Sequence, residues 1–219
     1  MPTQAVEDYL KQILALQGEG EEAAVGDVAR HLGVTPGTVT AMVKRLAARK
    51  LVSSRRYGGV RLTAKGHKLA MSVLRRHRLL ETFLVTTLGL DWSQVHAEAE
   101  RLEHAVSDLL LDRIDEFLGR PSVDPHGDPI PDAHGEFRRR ALVPLSACTP
   151  GSRLRVARVL DQDPAFLRFI EDQNLKPGSD FTLDRHDPNA DALELNASEK
   201  RVVISTRAAA KIMVEEPES

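Results

Sequence analysis

The chain has 219 residues, a formal net charge of -2, 42% hydrophobic residues and only 4% aromatic residues. This composition is typical of a globular protein whose core is built mainly from aliphatic side chains. The sequence contains no run of about 18 apolar residues, which excludes a membrane-spanning helix, and its start lacks the pattern of a secretory signal. The single cysteine excludes an intramolecular disulfide and a multi-cysteine zinc site. We therefore expect a cytoplasmic protein.

Basic residues are concentrated in one segment of the chain. Residues 28–80 contain thirteen lysines and arginines and no aspartate or glutamate, whereas the remainder of the chain is acidic. Such segregation gives one surface an attraction for polyanions while the whole protein stays close to neutral. The pattern favours a nucleic-acid-binding function for this segment.

The first third of the sequence has the pattern of a winged helix-turn-helix. Apolar residues at helical spacing predict α-helices over residues 7–17, 25–32 and 36–49. The turn before the third helix places Thr35 at an N-cap and Pro36 at the first helical position. Two short predicted strands, residues 51–54 and 60–62, flank a glycine pair that is typical of a hairpin tip.

Longer helices and then strands are predicted for the rest of the chain. One amphipathic helix is expected from Thr63 to about Leu88, and a second from about Asp91 to about Leu118. The proline-rich segment 120–133 ends helical structure. Residues 142–214 alternate between apolar and polar in short runs, which predicts a small β-barrel interrupted by a helix at 164–172.

The third helix is the candidate recognition helix, because in this arrangement the second helix of the turn enters the major groove of DNA. Small residues at its N-terminus allow the backbone to approach bases and phosphates, and basic residues follow on the helix and the wing. The candidate DNA-binding residues are Thr35, Pro36, Gly37, Thr38, Thr40, Lys44, Arg45, Arg49, Arg55 and Arg56. A protein-interaction module with the same fold is the alternative.

Potential metal ligands share one face of the helix predicted at 91–118. At about 100° per residue, His96, Glu100, Glu103 and His104 fall within one arc of about 100° beside the apolar face. On the preceding helix, His77 and Glu81 are one turn apart. Crowded carboxylates repel one another unless a cation or a proton lies between them. The pattern therefore predicts a metal site.

Several motifs resemble those of the diphtheria toxin repressor family of metal-dependent transcriptional regulators, and most closely its manganese-responsive three-domain members. The motifs are VEDYLKQI, GVTPGTVTAMVKRL, RRHRLLETFL, VHAEAERLEHAVSD and PHGDPIP. The resemblance implies a mainly α fold with a small β domain. It assigns residues 1–72 to the winged helix-turn-helix, 73–140 to a helical metal-binding and dimerisation domain, and 141–219 to an SH3-like domain.

The resemblance also implies two sets of metal ligands. The activating site corresponds to Asp8, Glu100, Glu103 and His104. The companion site corresponds to His77, Glu81 and His96, with Asp163 of the SH3-like domain as a further ligand and Asp161 as a competitor for that role.

The types of ligand distinguish between metals. Iron-responsive relatives carry a methionine and a cysteine where this chain has Asp8 and Glu100, and exchanging sulfur for carboxylate favours Mn(II) over softer ions. Fe(II) is the alternative. Manganese regulators with a binuclear centre carry a glutamate where this chain has Lys11, and a protonated lysine cannot bind a metal.

The resemblance implies a homodimeric repressor that binds double-stranded operator DNA and represses metal-uptake genes when Mn(II) is plentiful. No enzymatic activity, membrane contact or small organic substrate is expected. The alternatives are an iron-dependent regulator of the same family, a metal-dependent hydrolase that uses the carboxylate and histidine cluster, and a metal-buffering protein. Trp92, Cys148 and His126 are assigned structural roles.

Overall fold

Helices dominate the first half of the chain and an antiparallel sheet dominates the second half. The computed structural model describes residues 3–17, 22–55, 58–137, 140–198 and 200–217. The chain divides into two compact units. The first comprises residues 1–77, 102–108 and 131–136; the second comprises residues 78–101, 109–130 and 137–219. In the described part of the chain, no helix has the length and apolar character needed to cross a membrane.

The first unit contains the predicted helix-turn-helix and wing. Its helices are α1 (Gln4–Leu16), α2 (Val25–His31) and α3 (Pro36–Ala48), and its strands are β1 (Val52–Ser54) and β2 (Val60–Leu62). The strands are antiparallel, with Val52 opposite Leu62. Burial of one apolar stripe from each helix against the wing forms the core, which includes Leu10, Ile13, Val28, Val39, Leu46 and Val60.

An N-cap defines the start of α3, and a close backbone contact joins the start of the next helix to the residue before β1. Thr35 is the N-cap, and its Oγ1 accepts a hydrogen bond of 3.2 Å from the backbone N–H of Thr38. Gly66 lies near the start of α4 (Ala64–Thr86). A Cβ at Gly66 would lie 1.9 Å from the carbonyl oxygen of Leu51, so only glycine allows this close approach of two backbone segments.

The single helix predicted from Asp91 to Leu118 is wrong, because two helices occupy this region. They are α5 (Val95–Leu102) and α6 (Asp108–Phe117). The backbone N–H groups of Ala105 and Val106 both donate to the carbonyl oxygen of Leu102, which closes α5, and Asp108 is a residue type favoured at the start of a helix. Glu103 and His104 therefore follow α5 and do not lie on one helical arc with His96 and Glu100.

The second unit carries a six-stranded antiparallel sheet. The strands are β3 (Val143–Pro144), β4 (Arg153–Val159), β5 (Asp180–Asp187), β6 (Ala192–Ala197), β7 (Lys200–Ser205) and β8 (Ile212–Glu215), in the order β3-β8-β4-β5-β6-β7. The helix α7 (Pro164–Asp172) confirms the predicted interruption, and the short α8 (Thr206–Ala209) precedes β8. The core is mainly aliphatic and also includes the buried Trp92 and Phe181.

The predicted closed barrel is not confirmed. The two edges of the sheet are β3 and β7, and no pairing between them occurs within the described residues. Strand β3 has only two residues, and one of them, Pro144, has no backbone N–H to donate. The structure establishes a small antiparallel sheet domain.

The PHGDPIP segment packs tightly against β4. The backbone N–H of Val159 donates a hydrogen bond of 2.9 Å to the carbonyl oxygen of His126. Gly127 has a φ of +84°, and a Cβ there would lie 2.0 Å from the carbonyl oxygen of Ala157. This contact fixes the backbone on either side of His126.

Candidate metal centres and DNA-binding surface

The candidate DNA-binding residues form an exposed set on α3 and the wing. The residues that the structure describes as exposed are Thr35, Pro36, Gly37, Thr38, Thr40, Lys44, Arg45, Arg49 and Arg55. Within the described part of the chain, no acidic side chain forms an ion pair with Lys44 or Arg45 of α3, or with Arg49, the residue that follows this helix. The N-terminus of α3 and these free cations together suit contact with phosphates.

The wing differs from α3 in its electrostatics. Arg55 Nε lies 4.0 Å from Glu22 Oε1, and Glu22 Oε2 also accepts a hydrogen bond of 3.0 Å from the backbone N–H of Gly59. A phosphate contact by Arg55 would therefore compete with this carboxylate. Arg56, the remaining predicted residue, lies outside the described residues.

The first cluster of metal-binding side chains lies within the first unit. It consists of Asp8, Glu103 and His104, whose ligand atoms all lie within 4.8 Å of one another. Asp8 is on α1, and Glu103 and His104 belong to the segment that follows α5. His104 Nε2 is 2.8 Å from Asp8 Oδ1 and 3.5 Å from Glu103 Oε1. The structure thus brings together three of the four residues predicted for the activating site.

The orientation of His104 suits a metal ligand. Its Nδ1 donates a hydrogen bond of 2.6 Å to Glu7 Oε2, which places the proton of a neutral imidazole on Nδ1. Its buried Nε2 has no hydrogen-bond partner among the described residues. The lone pair of Nε2 therefore lies beside a carboxylate oxygen of Asp8, an arrangement that requires a cation or a proton between the two atoms.

Two basic groups hold the Glu103 carboxylate. Lys11 Nζ lies 2.5 Å from Oε1, and His77 Nδ1 lies 2.5 Å from Oε2, while the Glu103 side chain is fully buried. Burial raises the pKa of Glu103, but the hydrogen bond and charge of His77 and the charge of Lys11 outweigh burial and hold the pKa below its ordinary value. Glu103 is therefore a carboxylate, the form that binds a metal.

The other predicted ligands are divided between the two units. Glu100 belongs to the second unit, where its Oε1 lies 3.7 Å from Nε2 of His96. Glu81 also belongs to that unit, and its Oε1 lies 3.1 Å from Nδ1 of His96. His77 belongs to the first unit and contacts Glu103. The companion set stays a prediction.

The carboxylates predicted from the C-terminal domain already have local roles. Asp163 Oδ1 accepts hydrogen bonds from the backbone N–H groups of Ala165 and Phe166, so this side chain is the N-cap of α7. Asp161 Oδ2 lies 2.5 Å from Lys211 Nζ. Metal binding by either residue would compete with these bonds.

A second cluster lies entirely within the second unit and joins Glu81 to two residues that the sequence did not indicate. Glu81, Asp124 and His126 are all buried, and their ligand atoms lie within 4.8 Å of one another. His126 Nδ1 is 3.9 Å from Glu81 Oε2 and 4.0 Å from Asp124 Oδ1. His126, to which the sequence assigned a structural role, thus also lies close to two carboxylates.

The hydrogen bonds of His126 also suit a metal ligand. Its Nε2 donates a hydrogen bond of 2.9 Å to the carbonyl oxygen of Trp92, and its ring stacks on the Trp92 ring at 5.4 Å. The buried Nδ1 has no hydrogen-bond partner in the described part of the chain and faces the carboxylates. Burial, together with the negative charges of Asp128 and Glu81, raises the pKa of Asp124 well above its ordinary value. A bound cation would remove that repulsion.

Sequence reasoning did not identify three contributors to these clusters: Glu7, Asp124 and His126. Glu7 is next to Asp8 on α1, and the sequence contains no feature that shows it turning toward His104. The local signal for Asp124 and His126 was the sequence DPHGDPIP, in which Asp124, His126 and Asp128 each lie beside a proline.

Three known family models match successive parts of the chain. Residues 1–60 match the model of the iron-dependent repressor N-terminal DNA-binding domain. Residues 63–132 match the model of the iron-dependent repressor metal-binding and dimerisation domain. Residues 143–216 match the FeoA domain model.

Curated relatives align with part of the chain. The iron-dependent repressor IdeR of Mycobacterium bovis is 38% identical over 125 residues, which is 57% of this chain and 54% of the relative. The iron-dependent repressor IdeR of Mycobacterium leprae shows the same identity and coverage. The match thus spans about half the length of these curated relatives.

Solved structures align with nearly the whole chain. A manganese-dependent transcriptional repressor in complex with manganese is 37% identical, has a TM-score of 0.86 and is matched over 97% of this chain and 100% of its own. The manganese regulator SloR is 33% identical, with a TM-score of 0.74 over 99% and 100% of the two chains. ScaR with bound cadmium is 32% identical, with a TM-score of 0.78 over the same shares.

Proposed function

Because the chain belongs to the diphtheria toxin repressor family of metal-dependent transcriptional repressors, we propose that it represses transcription by binding operator DNA as a metal-loaded homodimer. Members of this family are regulators rather than enzymes, so no hydrolase activity is proposed. The observation that carries the proposal is the cluster of Asp8, Glu103 and His104, in which a buried imidazole lone pair faces a carboxylate oxygen at 2.8 Å.

The first cluster is the proposed activating site. Asp8 Oδ1, Glu103 Oε1 and His104 Nε2 would hold the ion, and a bound divalent cation would supply positive charge between the two carboxylate oxygens and the imidazole nitrogen. The Glu7 carboxylate would keep the His104 imidazole in the correct tautomer. Glu100, His77, His96 and Asp163 stay in the proposal as predicted ligands.

Manganese is the proposed metal. The donor atoms of the first cluster are two carboxylate oxygens and one imidazole nitrogen, a set that suits Mn(II) better than softer ions. The manganese-dependent repressor of known structure supports the same choice. Fe(II) is the second candidate, because the curated relatives are iron-dependent repressors and imidazole also suits iron.

The second cluster is the proposed additional metal site. The buried Nδ1 of His126, beside Glu81 and Asp124, supports this role. Trp92 is the only tryptophan of the chain and stacks on His126, so its fluorescence is a direct reporter of this site. We expect Mn(II) to change the fluorescence of the wild-type protein and to have no such effect on the His126→Ala variant. An unchanged response in that variant would place the metal elsewhere.

The proposed mechanism connects metal binding to DNA recognition through α1. Asp8 lies on α1, which packs in the same core as α3, whereas Glu103 and His104 follow α5. Ligands shared by these elements would restrict the position of the DNA-binding helices. A two-fold symmetric dimer must match two half-sites at a fixed spacing, and restricted helices raise its affinity for DNA.

The proposal includes the finer domain assignment. We propose boundaries at residues 72 and 140 and an SH3-like character for the C-terminal sheet domain, which matches the FeoA domain model over residues 143–216. A cytoplasmic location is part of the same proposal, because a repressor acts where the operator DNA is.

The test measures binding of the full chain to its own upstream promoter DNA by fluorescence anisotropy. Chelator, Mn(II) and Fe(II) are compared under anaerobic conditions. We expect tight binding only with metal, and a loss of the Mn(II) response in the Asp8→Asn variant. The control is Asp184→Asn, which removes an exposed carboxylate from β5. Equal binding with chelator and with metal would contradict the metal dependence, and equal behaviour of the two variants would contradict the role of Asp8.

A further inference from the structure

Lys11 places an ammonium group within the first cluster. Its Nζ lies 2.5 Å from Glu103 Oε1, and the lysine side chain is only 16% exposed. The same oxygen atom lies 3.5 Å from His104 Nε2. A cation held by His104 and Glu103 would therefore use the oxygen that Lys11 already contacts.

Two carboxylates of this region already have basic partners within the chain. Arg76 Nη2 lies 2.9 Å from Glu7 Oε1, so one carboxylate of the region has a guanidinium partner. Glu103 has Lys11 as its partner. A divalent ion that enters beside Asp8 would meet the positive charge of Lys11 at close range, where limited access of water weakens screening.

We propose that Lys11 is a built-in competitor of the activating metal, which holds Glu103 Oε1 in the metal-free protein and raises the metal concentration at which the site fills. This inference rests on the proposed metal site. Filling the site requires Nζ to leave Oε1, and a flexible four-carbon side chain allows the ammonium group to turn toward solvent. Lys11 thus determines the sensitivity of the site, although it is not a ligand.

A purely supporting role for Lys11 predicts the opposite effect on metal binding. If the ammonium group only oriented the Glu103 carboxylate, its removal would weaken metal binding, because the ligand would lose its position. If Lys11 competes with the metal, its removal strengthens metal binding. The sign of the change therefore separates the two roles.

The experiment titrates the full chain with Mn(II) and follows the free ion by electron paramagnetic resonance. Removal of a neighbouring like charge shifts an ionic equilibrium by about tenfold or more, so we expect Lys11→Met to bind Mn(II) about tenfold more tightly. Lys65→Met is the control, because it removes one positive charge from an exposed position on α4 of the same unit. Lys11→Arg keeps the charge and should not bind more tightly than the wild-type protein. Unchanged or weaker binding by Lys11→Met would overturn the proposal.

Thermal unfolding of the metal-free proteins gives a second readout. Lys11→Met should unfold at a lower temperature than the wild-type protein, because it leaves the buried Glu103 carboxylate with less compensating charge. If this variant does not fold, Lys11→Gln replaces it, since the amide can donate to Glu103 without carrying charge, and the same gain in affinity is expected. An Asp8→Asn variant with unchanged Mn(II) affinity would refute the metal site itself, whereas failure of Lys11→Met alone would refute only the competitor role.

Discussion

Gly127 provides a test of how strongly the PHGDPIP segment is fixed against β4. An alanine there would place its Cβ 2.0 Å from the carbonyl oxygen of Ala157 and 2.7 Å from Cα of Arg158. Both neighbours are backbone atoms, so the turn or the strand must move. Gly127 also has a φ of +84°, which L side chains rarely adopt.

The expected magnitude separates into two contributions. Left-handed backbone strain costs about 1–2 kcal/mol in a residue with a Cβ, and forced displacement of packed atoms adds about 1–3 kcal/mol. Gly119 is the matched control, because it lies in the same unit, has a φ of +74° and has no atom within 4 Å of its hypothetical Cβ. Gly119→Ala should therefore lower the free energy of unfolding through backbone strain alone. Gly127→Ala should lower it through backbone strain and through displacement of packed atoms.

Urea unfolding of the metal-free protein, followed by Trp92 fluorescence, measures the difference. Trp92 is 2% exposed and belongs to the core of the same unit, so its emission reports the unfolding of that unit. We expect Gly127→Ala to lower the free energy of unfolding by about 1–3 kcal/mol more than Gly119→Ala. Equal losses in the two variants would refute the claim that close backbone contact fixes this segment.

Three further predictions concern α3, DNA contact and a buried acid. Thr35→Ala removes the N-cap acceptor of α3 and should lower the free energy of unfolding by about 1 kcal/mol in thermal melts, whereas Thr35→Ser should not. Arg49→Gln should lower the slope of log affinity against log salt concentration by about 0.9 for each lost phosphate contact; the exposed Arg201→Gln should leave the slope unchanged. Burial raises the pKa of Asp124 in the folded, metal-free protein. Asp124 therefore makes its full contribution to the free energy of unfolding at pH values below the ordinary pKa of an aspartate, and this contribution is lost as the pH rises through the raised pKa. Asp124→Asn should therefore lose less stability than the wild-type protein as pH rises, and parallel curves of unfolding free energy against pH would contradict this.

Local signals accounted for the parts of the structure that were predicted correctly. The cap at Thr35 and the apolar spacing of α1 to α3 depend on residues within one or two helical turns, so the sequence displays them directly. The division of the region 91–118 into α5 and α6 was missed because the polar spacing continues across the break. Barrel closure was also expected, but strand alternation gives no information about which edges pair.

The two metal-binding clusters were also predicted only in part, because local sequence signals do not reveal contacts between distant residues. Glu103 and His104 were candidates from their spacing and Asp8 from the resemblance alone, and the structure brings the three together. The bonds of Glu7 to His104 and of Lys11 to Glu103 join residues that are 97 and 92 positions apart. Tertiary packing alone decides such contacts, and the periodicity of one helix cannot reveal them.

The first unit is discontinuous in sequence, since it takes residues 102–108 and 131–136 from regions otherwise assigned to the second unit. A fragment that stops after residue 77 would contain the helix-turn-helix and Asp8, but it would lack Glu103 and His104. Recombination that exchanged only the N-terminal region between genes would separate the same residues. Transfer of the first cluster to another protein would therefore require residues from separate parts of the chain, whereas the core of the helix-turn-helix lies within the N-terminal region alone.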